Sequence, residues 1–191
     1  RGAGAEIQRE ITTLPPGFRT YTGVDLAVQR HSAADLTAIV TIVVHPNHDR
    51  ELLEVASGRW AVDDIAARIA DTQRRFKSLV IAENVAAQDW MRQILASHYG
   101  VPVIPFTTGG GKASLEFQAE LLAAEMAGGR WMIPSRGGKL LPEIDALVRD
   151  MLFYDPRAHC GDRLAALMFA RHGAQMGSQK AERGTFDTLA R

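Results

Sequence analysis

The chain has 191 residues, of which 46% are hydrophobic and 23% charged; a chain this long buries about 70% of its unfolded surface and needs no disulfide or metal staple to fold. Its 22 basic and 22 acidic side chains cancel, which argues against a protein that grips nucleic acid tightly by itself, unless its basic residues cluster or another domain supplies the grip. One cysteine, Cys160, excludes an internal disulfide and suits a reducing compartment, and no apolar run is long enough to cross a bilayer, so a cytoplasmic location without membrane association is expected.

Residues 1–18 contain Gly2, Gly4, Pro15, Pro16 and Gly17 without periodicity and read as a leader or linker. A start at Arg1 instead of Met suggests a piece of a longer protein, although processing would look the same. Arg19–Leu26 is a strand candidate with a carboxylate, Asp25, at its end. Leu36–Val44 (LTAIVTIVV) is β-branched and almost continuously apolar, as a strand covered on both faces should be. Asn47-His48-Asp49 marks a turn, and Leu52–Trp60 is expected to pair back as a third strand. Val62–Phe76 has helical spacing through Ile65, Ile69 and Phe76. Leu79–Glu83 (LVIAE) is a short buried strand, again ending in a carboxylate.

A helix over 86–98 and a strand over 101–106 follow. Thr107–Lys112 (TTGGGK) is a loop that opens a helix over 114–126, stopped by Gly128-Gly129. A short strand over 130–134 precedes a helix over 141–152, which Tyr154-Asp155-Pro156 breaks. The last helix is expected over 162–172 (DRLAALMFARH), with residues 174–191 as a mobile tail. Three strands joined by short turns, then helix–strand alternation, indicate one α/β domain over 19–173 whose mixed sheet has antiparallel and parallel pairs and flanking helices.

Asp25 and Glu83 each close an apolar strand, where a carboxylate escapes the cost of burial and can face the crevice in which open α/β sheets hold ligands. On neighbouring strands the two would lie roughly 4.8 Å apart, repel one another and attract a hard divalent cation. Asp162 opens an apolar-faced helix whose small residues would let it approach the sheet. Each acid also has an ordinary reading: Asp at a helix start caps it, Asp25 could end a strand in a turn, and Glu83-Asn84 could open a helix. Their combination is the signal.

The segments TGVDLAVQRHSAADLTAIVTI, VIAEN followed by AAQ, and HCGDRLAALMFA together resemble the nuclease domain of bacteriophage terminase large subunits. The resemblance runs over roughly 20–173 and implies a ribonuclease-H-like fold, related to Holliday-junction resolvases. By this resemblance Asp25, Glu83 and Asp162 are metal ligands for two Mg²⁺ or Mn²⁺ ions and cleave double-stranded DNA by phosphodiester hydrolysis. Asp35 is an auxiliary acid, and His159 a contact for phosphate or the metal's water, with a structural role as the alternative. The family also implies an N-terminal ATPase domain in the same polypeptide, the terminase small subunit and portal protein as partners, and action in the host cytoplasm.

The TTGGGK loop is not a Walker motif, because Phe106 replaces its first glycine and Ala113 its Ser or Thr. Lys112 is left as a DNA-phosphate contact or part of a plain connector. Arg130, Arg136 and Lys139, around Gly137-Gly138 and beside Trp131, are a candidate DNA-contacting stretch or a solvated loop. His45-x-x-His48 lacks cysteine partners and makes a poor zinc motif. Competing readings are a resolvase- or transposase-like nuclease of the same fold, a non-catalytic DNA-docking module, and an actin-like ATP-binding fold, which generally requires two such domains.

Overall fold

A computed structural model describes residues 15–26, 36–83, 89–107, 114–158 and 160–189, with 178–189 as backbone alone. Asp35, Lys112 and His159 lie outside the described residues, as do residues 1–14 of the expected leader and the expected start of the helix at 86. Six strands form one sheet: β1 (Arg19–Asp25), β2 (Thr37–Val44), β3 (Arg50–Gly58), β4 (Leu79–Glu83), β5 (Val103–Phe106) and β6 (Trp131–Met132). Their order is β5-β4-β1-β2-β3-β6. The β1–β2 and β2–β3 pairs are antiparallel, whereas β4 pairs parallel with β1, β5 with β4 and β6 with β3. Five described helices flank it: α1 (Val62–Phe76), α2 (Asp89–Tyr99), α3 (Leu115–Ala127), α4 (Pro142–Leu152) and α5 (Asp162–Leu189). Among the described residues, no helix is long and apolar enough to cross a membrane.

The two-residue alternation of strands divides the core. Val40, Ile42, Tyr21 and Ile81 join α3, α4 and α5 on one face. Ile39, Val24, Val80 and Ala82 join α1 and α2 on the other. All eight residues of β2 are buried, which explains its unbroken apolar run. On the α1 face, Thr22 shares hydrogen bonds with Thr41 (2.9 Å) and Ser78 (2.7 Å), so these buried hydroxyls are satisfied across three chain segments.

Strand β3 begins and ends two residues earlier than the sequence pattern suggests. His48 takes a left-handed backbone (φ 68°) that tightens the turn and lets pairing begin at Arg50. At the far end a Cβ on Gly58 would lie 2.6 Å from the Trp60 ring, so Trp60 folds back over the strand instead of extending it.

Helix α5 runs on to Leu189, beyond the expected end at His172 and through residues read as a tail. Gly173 and Gly177 look like helix breakers in sequence, but they serve contact with the sheet. A Cβ on Gly173 would come within 2.4 Å of Ile81, and one on Gly177 within 2.3 Å of the Tyr21 hydroxyl. At Gly23 of β1 a Cβ would fall 1.9 Å from the Ala166 carbonyl oxygen and 2.6 Å from the Ala170 nitrogen. Residues 164–170 of this helix are all buried, so it is a central element and not an amphipathic cover.

Gly23→Ala should therefore cost at least about 3 kcal/mol, because backbone must give way. Gly129→Ala, with open space around it but φ +69°, should cost about 1–2 kcal/mol. Equal losses for the two variants in chemical denaturation would contradict the close approach.

Candidate active site

Asp25 and Glu83 end adjacent parallel strands, and the register pairs Val24 with Ala82, so the two acids are level with one another. Alternation puts Asp25 on the same face as Tyr21 and Gly23, and Glu83 on that of Ile81. This is the face that α5 covers. The helix runs antiparallel to β1, for Gly23 meets Ala166 and Ala170 while Tyr21 meets Gly173 and Gly177. One helical turn back from Ala166, roughly 6 Å, is Asp162. Two strand residues beyond Gly23, roughly 6.6 Å, is Asp25. The two distances match, so the first turn of α5 arrives at the end of β1.

Asp162 is fixed there by its Oδ2, which accepts the Leu36 backbone N–H at 2.9 Å. Leu36 directly precedes β2, in which Ala38 is the partner of Asp25. Asp25, Glu83 and Asp162 are each half-buried. The Cys160 thiol registers the charge of this edge. Burial first, then the negative charges of Asp25, Asp150 and Asp162, push it up to about 12. It stays protonated at neutral pH and is no nucleophile. Among the described residues, no group of three or more His, Cys, Asp or Glu side chains could hold a metal ion. The three acids thus share one face and one edge without a closed ligand cage among those residues.

The basic candidates separate. Arg130 lies at the opposite end of the sheet, where β3 begins. Its Nε pairs with Asp49 at 3.1 Å and its Nη2 donates to the Asn47 carbonyl at 2.8 Å, so it closes the β2–β3 turn. Arg136 and Lys139 instead face each other across a two-residue turn, bonded N–H to C=O in both directions at 2.9 and 3.1 Å. Gly137 and Gly138 both have positive φ, 58° and 76°, as such a hairpin turn requires. Both cations are exposed. His45 pairs with Glu51 at 3.2 Å and lies against Phe18, which gives it a structural place away from any zinc site.

Two polar networks escaped the sequence pattern. Arg171 of α5 is 1% exposed and makes a bidentate pair with Glu125 (2.9 and 2.6 Å) plus a bond to Gln118 (2.8 Å). Glu125 also receives Arg50 at 3.3 Å and the Trp131 indole at 3.0 Å. Burial would raise the Glu125 carboxyl, but Arg171, Arg50 and Trp131 outweigh it and hold the group below its usual range. The second network, around Arg163 and Asp150, adjoins the acidic edge. The sequence signal for both was weak, since arginine and aspartate on a helix normally read as solvated charge.

The strand order, with an antiparallel β1–β2–β3 unit and β4 and β5 added in parallel beside β1, is decisive. The fold is ribonuclease-H-like. No protein-family model and no curated protein matches the sequence. Solved structures do match in fold. The nuclease domain of the bacteriophage SPP1 large terminase, with bound Mn, is 12% identical with a TM-score of 0.59, covering 89% of this chain and 90% of that one. The large terminase nuclease of thermophilic phage G20c, with bound magnesium, is 13% identical with a TM-score of 0.58, covering 82% of each chain. The HK97 bacteriophage large terminase is 14% identical with a TM-score of 0.56, and the match covers 88% of this chain but 42% of that longer one. This chain is similar in fold to large terminase nuclease domains.

His172, next to Arg171, lies edge-on against Phe106 at 4.6 Å, and its Nδ1 is buried without a hydrogen-bond partner among the described residues. Burial and then Arg171 hold its imidazole below the usual range. The unfolded chain consequently takes up this proton first, so stability is intact above the unfolded value and is lost as pH falls through the folded one. The wild-type protein should lose more of its melting temperature between pH 7 and pH 5 than His172→Phe does. A parallel pH dependence in the two thermal melts would refute this.

Proposed function

We propose that the chain is a metal-dependent endonuclease domain that cleaves double-stranded DNA during viral genome packaging. The observation that carries this reading is the arrival of Asp25, Glu83 and Asp162 at one edge and face of a ribonuclease-H-like sheet. The likeness to terminase nuclease domains solved with magnesium or Mn supports it.

The donor chemistry of Asp25, Glu83 and Asp162 fits a hard divalent cation, because all three offer carboxylate oxygens. Asp25, Glu83 and Asp162 would hold Mg²⁺ or Mn²⁺, as two ions. When bound, such ions supply an activated water and stabilise charge on the departing 3′ oxygen. The residues of the chain orient that chemistry. Strand ends fix Asp25 and Glu83, and the Leu36 N–H fixes Asp162 through its Oδ2. Asp35 would serve as an auxiliary acid, His159 as a contact for phosphate or the metal's water, and Lys112 as a phosphate contact.

Arg136 and Lys139, two like charges held opposite each other, are costly to juxtapose unless an anion approaches, and a phosphodiester backbone is the anion this reading supplies. Arg130 is committed to its turn and contributes less. An N-terminal ATPase domain in the same polypeptide, with the terminase small subunit and portal protein as partners, completes the assembly. The partial coverage of the longer HK97 protein is compatible with it.

Asp25→Asn and Asp162→Asn should each reduce Mn²⁺-dependent plasmid cleavage at least about 100-fold, equivalent to about 2.7 kcal/mol in the barrier. Asparagine can still accept the Leu36 N–H, so the melting temperature of the Asp162 variant should change little. Undiminished cleavage by either variant would sink the assignment. For DNA binding, Arg136→Gln with Lys139→Gln should weaken affinity for all sequences and reduce the salt dependence of log K by about 2. An unchanged salt slope would remove the turn from the interface.

A further inference from the structure

Arg163 follows Asp162 directly, and its guanidinium ties together three elements that meet at the acidic edge. Its Nε donates to Asp150 Oδ2 at 2.9 Å and its Nη2 to Asp150 Oδ1 at 3.2 Å, a bidentate fork onto α4. Its Nη1 donates to Ser57 Oγ at 3.1 Å, and that hydroxyl donates to Glu143 Oε2 at 2.8 Å. Ser57 pairs with Ala38, which pairs with Asp25, so the fork ends in the same cross-strand row as Asp25. The Arg163 and Asp150 side chains are only 19% and 21% exposed. The chain just before the helix is also tight, because a Cβ on Gly161 would lie 3.2 Å from the Asp150 carboxylate.

Close packing at Gly23, Gly173 and Gly177 sets how near α5 lies to the sheet, but these contacts begin a turn or more beyond Asp162. Among the described residues, the polar contacts at its first turn include the Leu36 N–H on Asp162 and the fork of Arg163. We propose that Arg163 is a positioning residue that holds Asp162 in register with Asp25 for cation binding. This rests on the nuclease reading of the three acids. A planar guanidinium satisfies both Asp150 oxygens and Ser57 at once; an ammonium is a point charge on a flexible stem and cannot reproduce that geometry. Groups outside a metal's own ligands that orient those ligands typically change affinity about 10–100-fold.

The test is a Mn²⁺ titration of the full chain by calorimetry, paired with plasmid cleavage across Mn²⁺ concentrations, for wild type, Arg163→Met, Arg163→Lys and Asp150→Asn. Arg163→Met is expected to raise the Mn²⁺ concentration for half-saturation and for half-maximal cleavage about 10-fold or more, with KM for DNA changed less than about twofold. Arg163→Lys should fall between it and wild type. Asp150→Asn should shift the same Mn²⁺ midpoint, and it keeps the question answerable if Arg163→Met fails to fold. Wild-type Mn²⁺ affinity in folded Arg163→Met or Asp150→Asn overturns the positioning role while leaving the nuclease reading intact. A wild-type chain that neither binds Mn²⁺ nor cleaves DNA overturns both.

Discussion

The approach of helix α5 to strand β1 at Gly23 governs the rest of the molecule. With no side chain at that position, the helix backbone descends to van der Waals contact with the strand. Ala165, Ala166, Ala170, Gly173 and Ala174 keep the rest of the interface thin. Apolar burial drives the layers together, and burying a residue such as Phe169 or Leu164 contributes about 1.5–3 kcal/mol. Burial alone has no direction, however. It is the shape of the small-residue groove that dictates the axis along which α5 lies, and therefore which residue of the helix reaches the end of β1.

Charged side chains then fix what packing leaves free. Arg171, deep in the middle of α5, is matched by Glu125 and Gln118 of α3, and Glu125 is shared with Arg50 of β3 and Trp131 of β6. Removing Glu125 would leave the buried Arg171 guanidinium without its ionic partner, which is costly. Near the first turn of α5 the Arg163 fork does comparable work with less burial. The two arginines are eight positions apart on one helix and face different neighbours, so the orientation of the helix is pinned at two points.

Much of this was legible in the sequence, and the failures have physical causes. Strands β2 and β4 and helix α1 announced themselves because their burial is simple: two covered faces for the strands, one apolar stripe for the helix. The strand-end placement of Asp25 and Glu83 was also readable, since an acid can close an apolar strand but rarely sits inside one. The helix continues past His172 because Gly173, a helix breaker by composition, is here a close-packing residue against Ile81, a partner that sequence does not show. Arg130, Arg136 and Lys139 looked like one basic stretch because sequence shows charge without showing partners. Arg130 has Asp49. The cost of placing Arg171 in the core could not be anticipated without knowing that Glu125 waits opposite.

The direction of α5 has an electrostatic corollary. Its amino-terminal end, which carries roughly half a positive charge from aligned peptide dipoles, faces the edge where Asp25, Glu83 and Asp162 gather. The dipole offsets part of the negative charge of these carboxylates. On the proposed endonuclease reading, a cation and a DNA strand at this edge would not bind independently. The cation would lower the repulsion that the phosphodiester chain meets, and by thermodynamic reciprocity each would tighten the other's affinity by the same factor.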